Sequence, residues 1–219
     1  MSIFKDRIEA GQQLAKELLA YRNKKDLLIL ALPRGGVPVA FEIAKLLHAP
    51  ITVFLVRKLG VPGQEELAMG AIAEGNINIL DNELIHYLNI TEQQVQHVLQ
   101  KEQHELTRRL QHYRLGKPLP ALNNKVIVLV DDGIATGATF KAAIQALKIL
   151  KPKRLIVATP VASQSSLQEI TALVDETVCL ATPEPFYSIG QWYQYFDQTN
   201  DEEVLNLLQA SPVQLNSME

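Results

Sequence analysis

Short apolar runs that alternate with helical-period stretches constrain this chain most. "DLLILALP" (26–33) is an unbroken apolar run stopped by Pro33, the pattern of a strand buried on both faces. "GGVPVAFEIAKLLHAP" opens on glycines, continues at helical period and stops at Pro50, and "ITVFLVR" (51–57) is a second apolar run. Strand, helix and strand within about thirty residues form a βαβ unit, whose crossover is right-handed. The alternation resumes with strand 125–130, helix 137–150, strand 154–159, helix 164–173, strand 176–181 and a short closing helix at 201–209. This order predicts an α/β fold with a doubly wound, mainly parallel sheet of about five strands.

The remaining segments are additions to that sheet. Residues 3–22 carry Phe4, Ile8, Ala15, Leu18 and Leu19 at roughly helical spacing, which predicts an amphipathic helix. Residues 59–80 hold Gly60, Pro62, Gly63, Gly70 and Gly75 between short alternating stretches. They read as a long loop or a two-stranded flap. A helical insertion is expected over 81–115, with Val95, Leu99, Leu106, Leu110 and Tyr113 along one stripe. It would support either the flap or a homodimer. "RLGKPLPALNN" (114–124) is a connector, and 182–212 is expected to form a C-terminal hood. A chain of 219 residues fits one α/β domain, 1–219, with these additions.

Composition removes several classes of function. A net charge of −3 supplies no basic field for nucleic acid. The single cysteine, Cys179, excludes an internal disulfide, in keeping with a reducing compartment. "MSIFKDRIEAG" lacks the apolar core of a secretory signal, and no apolar run is long enough to cross a bilayer. A cytoplasmic protein with no membrane partner is expected. His97, His104 and His112 lie seven and eight residues apart, too far along a helix to share one metal. Cys179, inside an apolar strand, reads as a small packed hydrophobe.

The candidate site is "VIVLVDDGIATGAT" (126–139). In open α/β sheets ligands bind at the carboxyl ends of strands, where Asp131 and Asp132 fall. The following helix offers unpaired N–H groups and a positive dipole end to an anion. Ala135, Gly137 and Ala138 allow close backbone approach, and Thr136 and Thr139 add hydroxyl donors. A sugar phosphate satisfies both halves: hydroxyls donate to the carboxylates, and the phosphate caps the helix. The plain alternative is an ordinary βα turn with a capping aspartate. No Walker A sequence is present, and a receiver domain lacks such a loop after its acidic residues.

This stretch resembles the phosphoribosyl pyrophosphate (PRPP) motif of the type I phosphoribosyltransferases. Nearly the whole chain, including "RKLGVPGQEELAMGAIAEG" and "PEPFYSIGQWYQYF", is similar to predicted phosphoribosyltransferases whose substrate is unassigned. The resemblance implies that Asp131 and Asp132 hold the ribose hydroxyls and meet Mg²⁺ through Mg-PRPP. It assigns the 5′-phosphate to Ala135, Thr136, Gly137, Ala138 and Thr139. "ALPRGGVPVA", which alone reads as a turn, resembles the pyrophosphate loop and implies Arg34, Gly35 and Gly36 there. In that family the loop often carries a strained or cis non-proline peptide, which would fall at Arg34–Gly35.

Arg57 and Lys58 would end the second strand; read alone they are a solvated strand end. They resemble the Arg-Lys pair of the orotate and adenine enzymes, which implies a catalytic role. Glu74 best matches the glutamate that moves the acceptor's proton, with Glu66 as its competitor. Ala135 stands where hypoxanthine–guanine enzymes carry an aspartate, which argues against that chemistry. Of the aromatics after the last strand, Phe186 or Tyr187 is expected to stack on the acceptor base, and most of the others to pin the hood. The hood differs from that of the adenine enzymes, so adenine is not implied. The function expected is Mg²⁺-dependent phosphoribosyl transfer from PRPP to an unidentified nitrogenous acceptor, releasing pyrophosphate, in a homodimer. The alternative is a PRPP- or nucleotide-sensing regulator of the same fold.

Overall fold

Five of the apolar runs pair into one parallel sheet in the computed structural model, which describes residues 3–213. Its strands are β1 (Leu27–Ala31), β2 (Ile51–Val53), β6 (Val126–Val130), β7 (Arg154–Val161) and β8 (Glu176–Ala181), in the order β2-β1-β6-β7-β8. β1 and β6 are buried at every position, as central strands of a parallel sheet are, and the helix Gly36–Leu47 packs on both. From β1 the chain winds to one side, and from β6 to the other. The switch point lies between them, and there the register is level: Ala31 pairs with Val130. The turns after β1 and β6 therefore emerge side by side, the place where such sheets bind ligands.

The chain folds as two compact units. The first combines the described residues up to Val53 with Pro120–Gly137 and those from Lys151 onward; the second combines Phe54–Leu119 with Ala138–Leu150. In the first unit, α1 (Arg7–Glu17) is capped by Asp6, whose carboxylate accepts from the Glu9 N–H at 2.8 Å. α1 buries Ala10, Gly11, Leu14 and Ala15, whereas Ile8 and Leu19, expected on its apolar face, are exposed. Phe4 lies before the helix, in a bridge to Tyr193, so spacing counted from it misassigns Ile8. α2 (Gly36–Leu47) carries Val37, Val39, Ile43 and Leu47 into the core. α6 (Gln164–Thr171) and α7 (Asp201–Gln209) complete this unit.

The second unit is built on an antiparallel sheet of β3 (Val56–Val61), β4 (Gln64–Ala73) and β5 (Ile77–Leu80). The run expected as one strand over 51–57 is therefore divided. β2 stops at Val53, and Arg57 and Lys58 lie inside β3, opposite Ile72 and Ala71. Phe54 and Leu55 are buried, so the apolar run continues across the change of sheet and hides it. The expected flap has three strands rather than two. α3 (Asn82–Tyr87) follows, then α4 (Glu92–Arg114), whose start is closed by a reciprocal Thr91–Gln94 capping box. α4 buries Val95, Leu106 and Tyr113 of the expected stripe, and Arg114 besides. α5 (Ala138–Ile149) buries Phe140, Ile144 and Leu147. Among the described residues no helix is long and apolar enough to cross a membrane.

Candidate functional site

The level ends of β1 and β6 bring two predicted pieces together in the first unit. Asp132 is 7% exposed, and its Oδ2 accepts from Arg7 Nε at 2.8 Å. A Cβ on Gly35 would overlap that same oxygen, and one on Gly36 would lie 2.7 Å from the Val130 carbonyl. The two glycines are thus required first by the aspartate strand end, which occupies the volume of their side chains. Asp131 is partly exposed, and its Oδ1 accepts from the Asp132 N–H at 2.9 Å. Burial, with the Asp132 charge added, holds the Asp131 carboxyl well above the ordinary carboxylate range. Burial also raises Asp132, and Arg7 opposes it. The Tyr193 hydroxyl donates to the Asp132 carbonyl at 2.6 Å and fixes the backbone there.

The cis non-proline peptide of this turn lies at Pro33–Arg34, one bond before the expected position at Arg34–Gly35. Arg34 is partly exposed, with Asp201 at 3.7 Å.

The loop after Asp132 is braced from behind. The Ile134 N–H donates to the Val161 carbonyl, and the Ser163 N–H to the Ile134 carbonyl, each at 2.9 Å. The Ala135 carbonyl accepts from Ser163 Oγ at 2.8 Å and Ser166 Oγ at 2.7 Å. Gly137 has φ +72°, the left-handed region that glycine adopts without cost, and it turns the chain into α5. Thr136, Ala138 and Thr139 are exposed beside it. The loop is thus held on its sheet side by the backbone of Val161 and by the hydroxyls of Ser163 and Ser166.

In the second unit, Arg57 is held by Glu102, Nε to Oε2 at 2.5 Å. Lys58 is half-exposed and bonds Glu66, itself fully exposed, at 3.2 Å. Lys58 and Thr139 share the wall of a cavity of about 850 Å³, with Val56, Gly70, Asp81 and Gln145. Glu74, expected to move the acceptor's proton, lies enclosed in an ion pair. It is 3% exposed, and its carboxylate is gripped by the equally buried Arg114 through both oxygens. Glu74 Oε1 also accepts from the Leu55 N–H at 3.1 Å. Burial pushes this carboxyl up, against the pull of Arg114. With both oxygens engaged, it is not presented to an acceptor's proton.

The hood divides its aromatics. Tyr193 stacks on Phe196 at 4.9 Å between centroids, and Phe186 packs on Trp192 at 6.1 Å. Phe4 joins the same cluster. Tyr187 is 81% exposed. Of the two expected stacking residues, Phe186 is thus partly spent on packing and Tyr187 stands open.

The family profile described as the phosphoribosyl transferase domain matches residues 3–190. The chain belongs to the phosphoribosyl transferase domain family. Its curated relatives from Mycobacterium tuberculosis strains CDC 1551 and H37Rv, whose names assign them provisionally to the phosphoribosyl transferases, are each 44% identical over 208 residues, 95% of this chain. The chain spans about half, 47%, of their length. The crystal structure of TT1426 from Thermus thermophilus superposes with a TM-score of 0.83 at 36% identity, covering 96% of this chain and 99% of that one. A hypothetical protein from Neisseria gonorrhoeae, solved with bound ppGpp, shares the fold at a TM-score of 0.51 and 14% identity, over 96% and 97% of the two chains. Arg7, which bonds Asp132, and Ser163 and Ser166, which bond the Ala135 carbonyl, were not marked as candidates by any motif. "ASQSS" after the fourth predicted strand was the available signal for the serines; nothing local marked Arg7.

Proposed function

We propose that this chain transfers the 5-phosphoribosyl group of PRPP to a nitrogenous acceptor and releases pyrophosphate. The observation that carries this reading is the level register at the switch point. It sets Asp131 and Asp132 beside the Gly35–Gly36 turn, with the braced loop leading into α5. Ribose hydroxyls would donate to the Asp131–Asp132 pair, of which Asp132 is the carboxylate bonded to Arg7. The 5′-phosphate would accept N–H groups from the Ala135–Thr139 loop and the hydroxyls of Thr136 and Thr139. Arg34 and the amides of Gly35 and Gly36 would take pyrophosphate oxygens, and Lys58 is the second cation proposed for the leaving group. As the C1–O bond breaks, the sugar gains oxocarbenium character, and the aspartate charges lower the energy of that state.

The residues fit an Mg²⁺ ion that arrives with the substrate: Asp131 and Asp132 set two carboxylates next to the Gly35–Gly36 turn proposed for the diphosphate. When bound, the ion would neutralise charge on the diphosphate oxygens. The acceptor would stack on Tyr187 or Phe186. With Glu74 enclosed, Glu66 is the exposed carboxylate proposed to take the acceptor's proton.

Two measurements test this. Titration calorimetry with PRPP and Mg²⁺ is expected to show binding that the combined Asp131→Asn and Asp132→Asn substitutions abolish, while circular dichroism shows the chain still folded. Retained affinity in that variant rejects the ribose-hydroxyl role. Pyrophosphate release across purines, pyrimidines and small amides should identify an acceptor. Tight binding with no turnover across the panel would favour a PRPP-sensing regulator instead.

A further inference from the structure

Arg7 stands at an unfavourable place. It is the first residue of α1, where the positive end of the helix dipole disfavours a cation, and its side chain is only 12% exposed. Three contacts hold it there. Its Nε donates to Asp132 Oδ2 at 2.8 Å, and its Nη1 to the Asp197 carbonyl at 2.7 Å. Its guanidinium lies 3.8 Å over the ring of Phe196. Two of these partners belong to the hood and one to the end of β6. Phe196 in turn stacks on Tyr193, whose hydroxyl grips the Asp132 carbonyl. The chain of contacts therefore closes on itself around a single residue, Asp132.

We propose that Arg7 is a positioning residue for the PRPP site: it pins the Asp132 carboxylate to the hood and leaves Asp131 as the carboxylate that adapts to ribose. The inference rests on the PRPP reading above and gives the two adjacent aspartates different tasks. A planar guanidinium suits this role because it bonds in two directions while stacking on an aromatic face; a lysine ammonium cannot do all three. Gly35 completes the restraint, since its bare Cα is what lets the pinned carboxylate lie against the turn.

The test is a mutant cycle read by PRPP affinity in the presence of Mg²⁺, with thermal melting recorded beside it. Arg7→Gln is expected to weaken PRPP binding about tenfold to a hundredfold, the usual effect of removing the partner that orients a ligating side chain. Arg7→Lys, which keeps the charge and lowers the risk of misfolding, should recover part of that loss. Because Arg7 acts through Asp132, Arg7→Gln should cost little further affinity in an Asp132→Asn background. It should keep most of its effect in an Asp131→Glu background. If Arg7→Gln lowers the melting temperature but leaves PRPP affinity unchanged, Arg7 is a structural ion pair only and the inference fails while the PRPP reading stands. Absence of PRPP binding by the unmodified chain overturns both.

Discussion

Replacing Glu74 by Gln separates the two roles that sequence and structure assign to it. In the structure both carboxylate oxygens face Arg114, and Oε1 also accepts the Leu55 N–H. The glutamine amide keeps the volume and can still accept from Leu55, but it removes the carboxylate charge that faces the buried Arg114 guanidinium. Removing one partner of a buried ion pair costs about 3–5 kcal/mol. In a chain of this size each kcal/mol moves the melting temperature by about 2–4 °C, so a fall of about 6–20 °C is expected. Arg114→Met should cost a similar amount, for the mirror-image reason. Glu74→Leu combined with Arg114→Met replaces the pair by apolar volume, which is commonly neutral to stabilising by about 1–4 kcal/mol. Against that gain stands an orphaned Leu55 N–H at about 1–3 kcal/mol. The double variant should therefore melt close to the unmodified chain and well above either single one. Thermal and urea unfolding followed by far-ultraviolet circular dichroism gives all four values. If Glu74→Gln melts like the unmodified protein while turnover collapses, Glu74 is the proton acceptor after all and the ion-pair argument is wrong.

Gly35→Ala should be costly despite its small size. Its methyl group would overlap Asp132 Oδ2, so the carboxylate must leave Arg7 or the turn must open. We expect about 1–3 kcal/mol of destabilisation with a marked loss of PRPP affinity by calorimetry; unchanged stability and affinity would show that the turn yields freely. Tyr21 gives a pH signature. Its hydroxyl donates to Glu176 at 2.5 Å, and burial with that neighbour pushes its pKa up to about 12 from 10.0. The folded chain therefore holds this proton more tightly than the unfolded chain does. Its contribution to stability is complete below pH 10 and is lost as pH rises toward 12. Urea unfolding between about pH 9 and 12 should show a shallower alkaline decline in Tyr21→Phe; an identical decline would contradict this assignment. Tyr193, also raised by burial, should keep the decline from vanishing.

The parallel sheet was legible because its central strands, β1 and β6, are unbroken apolar runs, the pattern of strands covered on both faces. "VDDGIATGAT" was legible because two carboxylates followed by small residues and threonines make an unusual local pattern. The antiparallel sheet of the second unit was not. Phe54 and Leu55 are as apolar as the strand before them, so the passage from β2 to β3 leaves no trace in composition. The burial of Glu74 was not legible for a related reason: its partner Arg114 lies 40 residues away at the end of α4, and no local pattern announces that pairing.

By itself, then, the sequence determined the central strands of the main sheet, the helices between them and the loop that follows β6. These follow from periodicity and from backbone chemistry within a few residues. Only the tertiary structure decided which charged groups are open and which are spent. Asp131 and Asp132 are identical neighbours in the chain. One is pinned by an arginine 125 residues away, and the other is not. Coulombic pairing and desolvation act through space, and the residues that meet there are chosen by strand order and register.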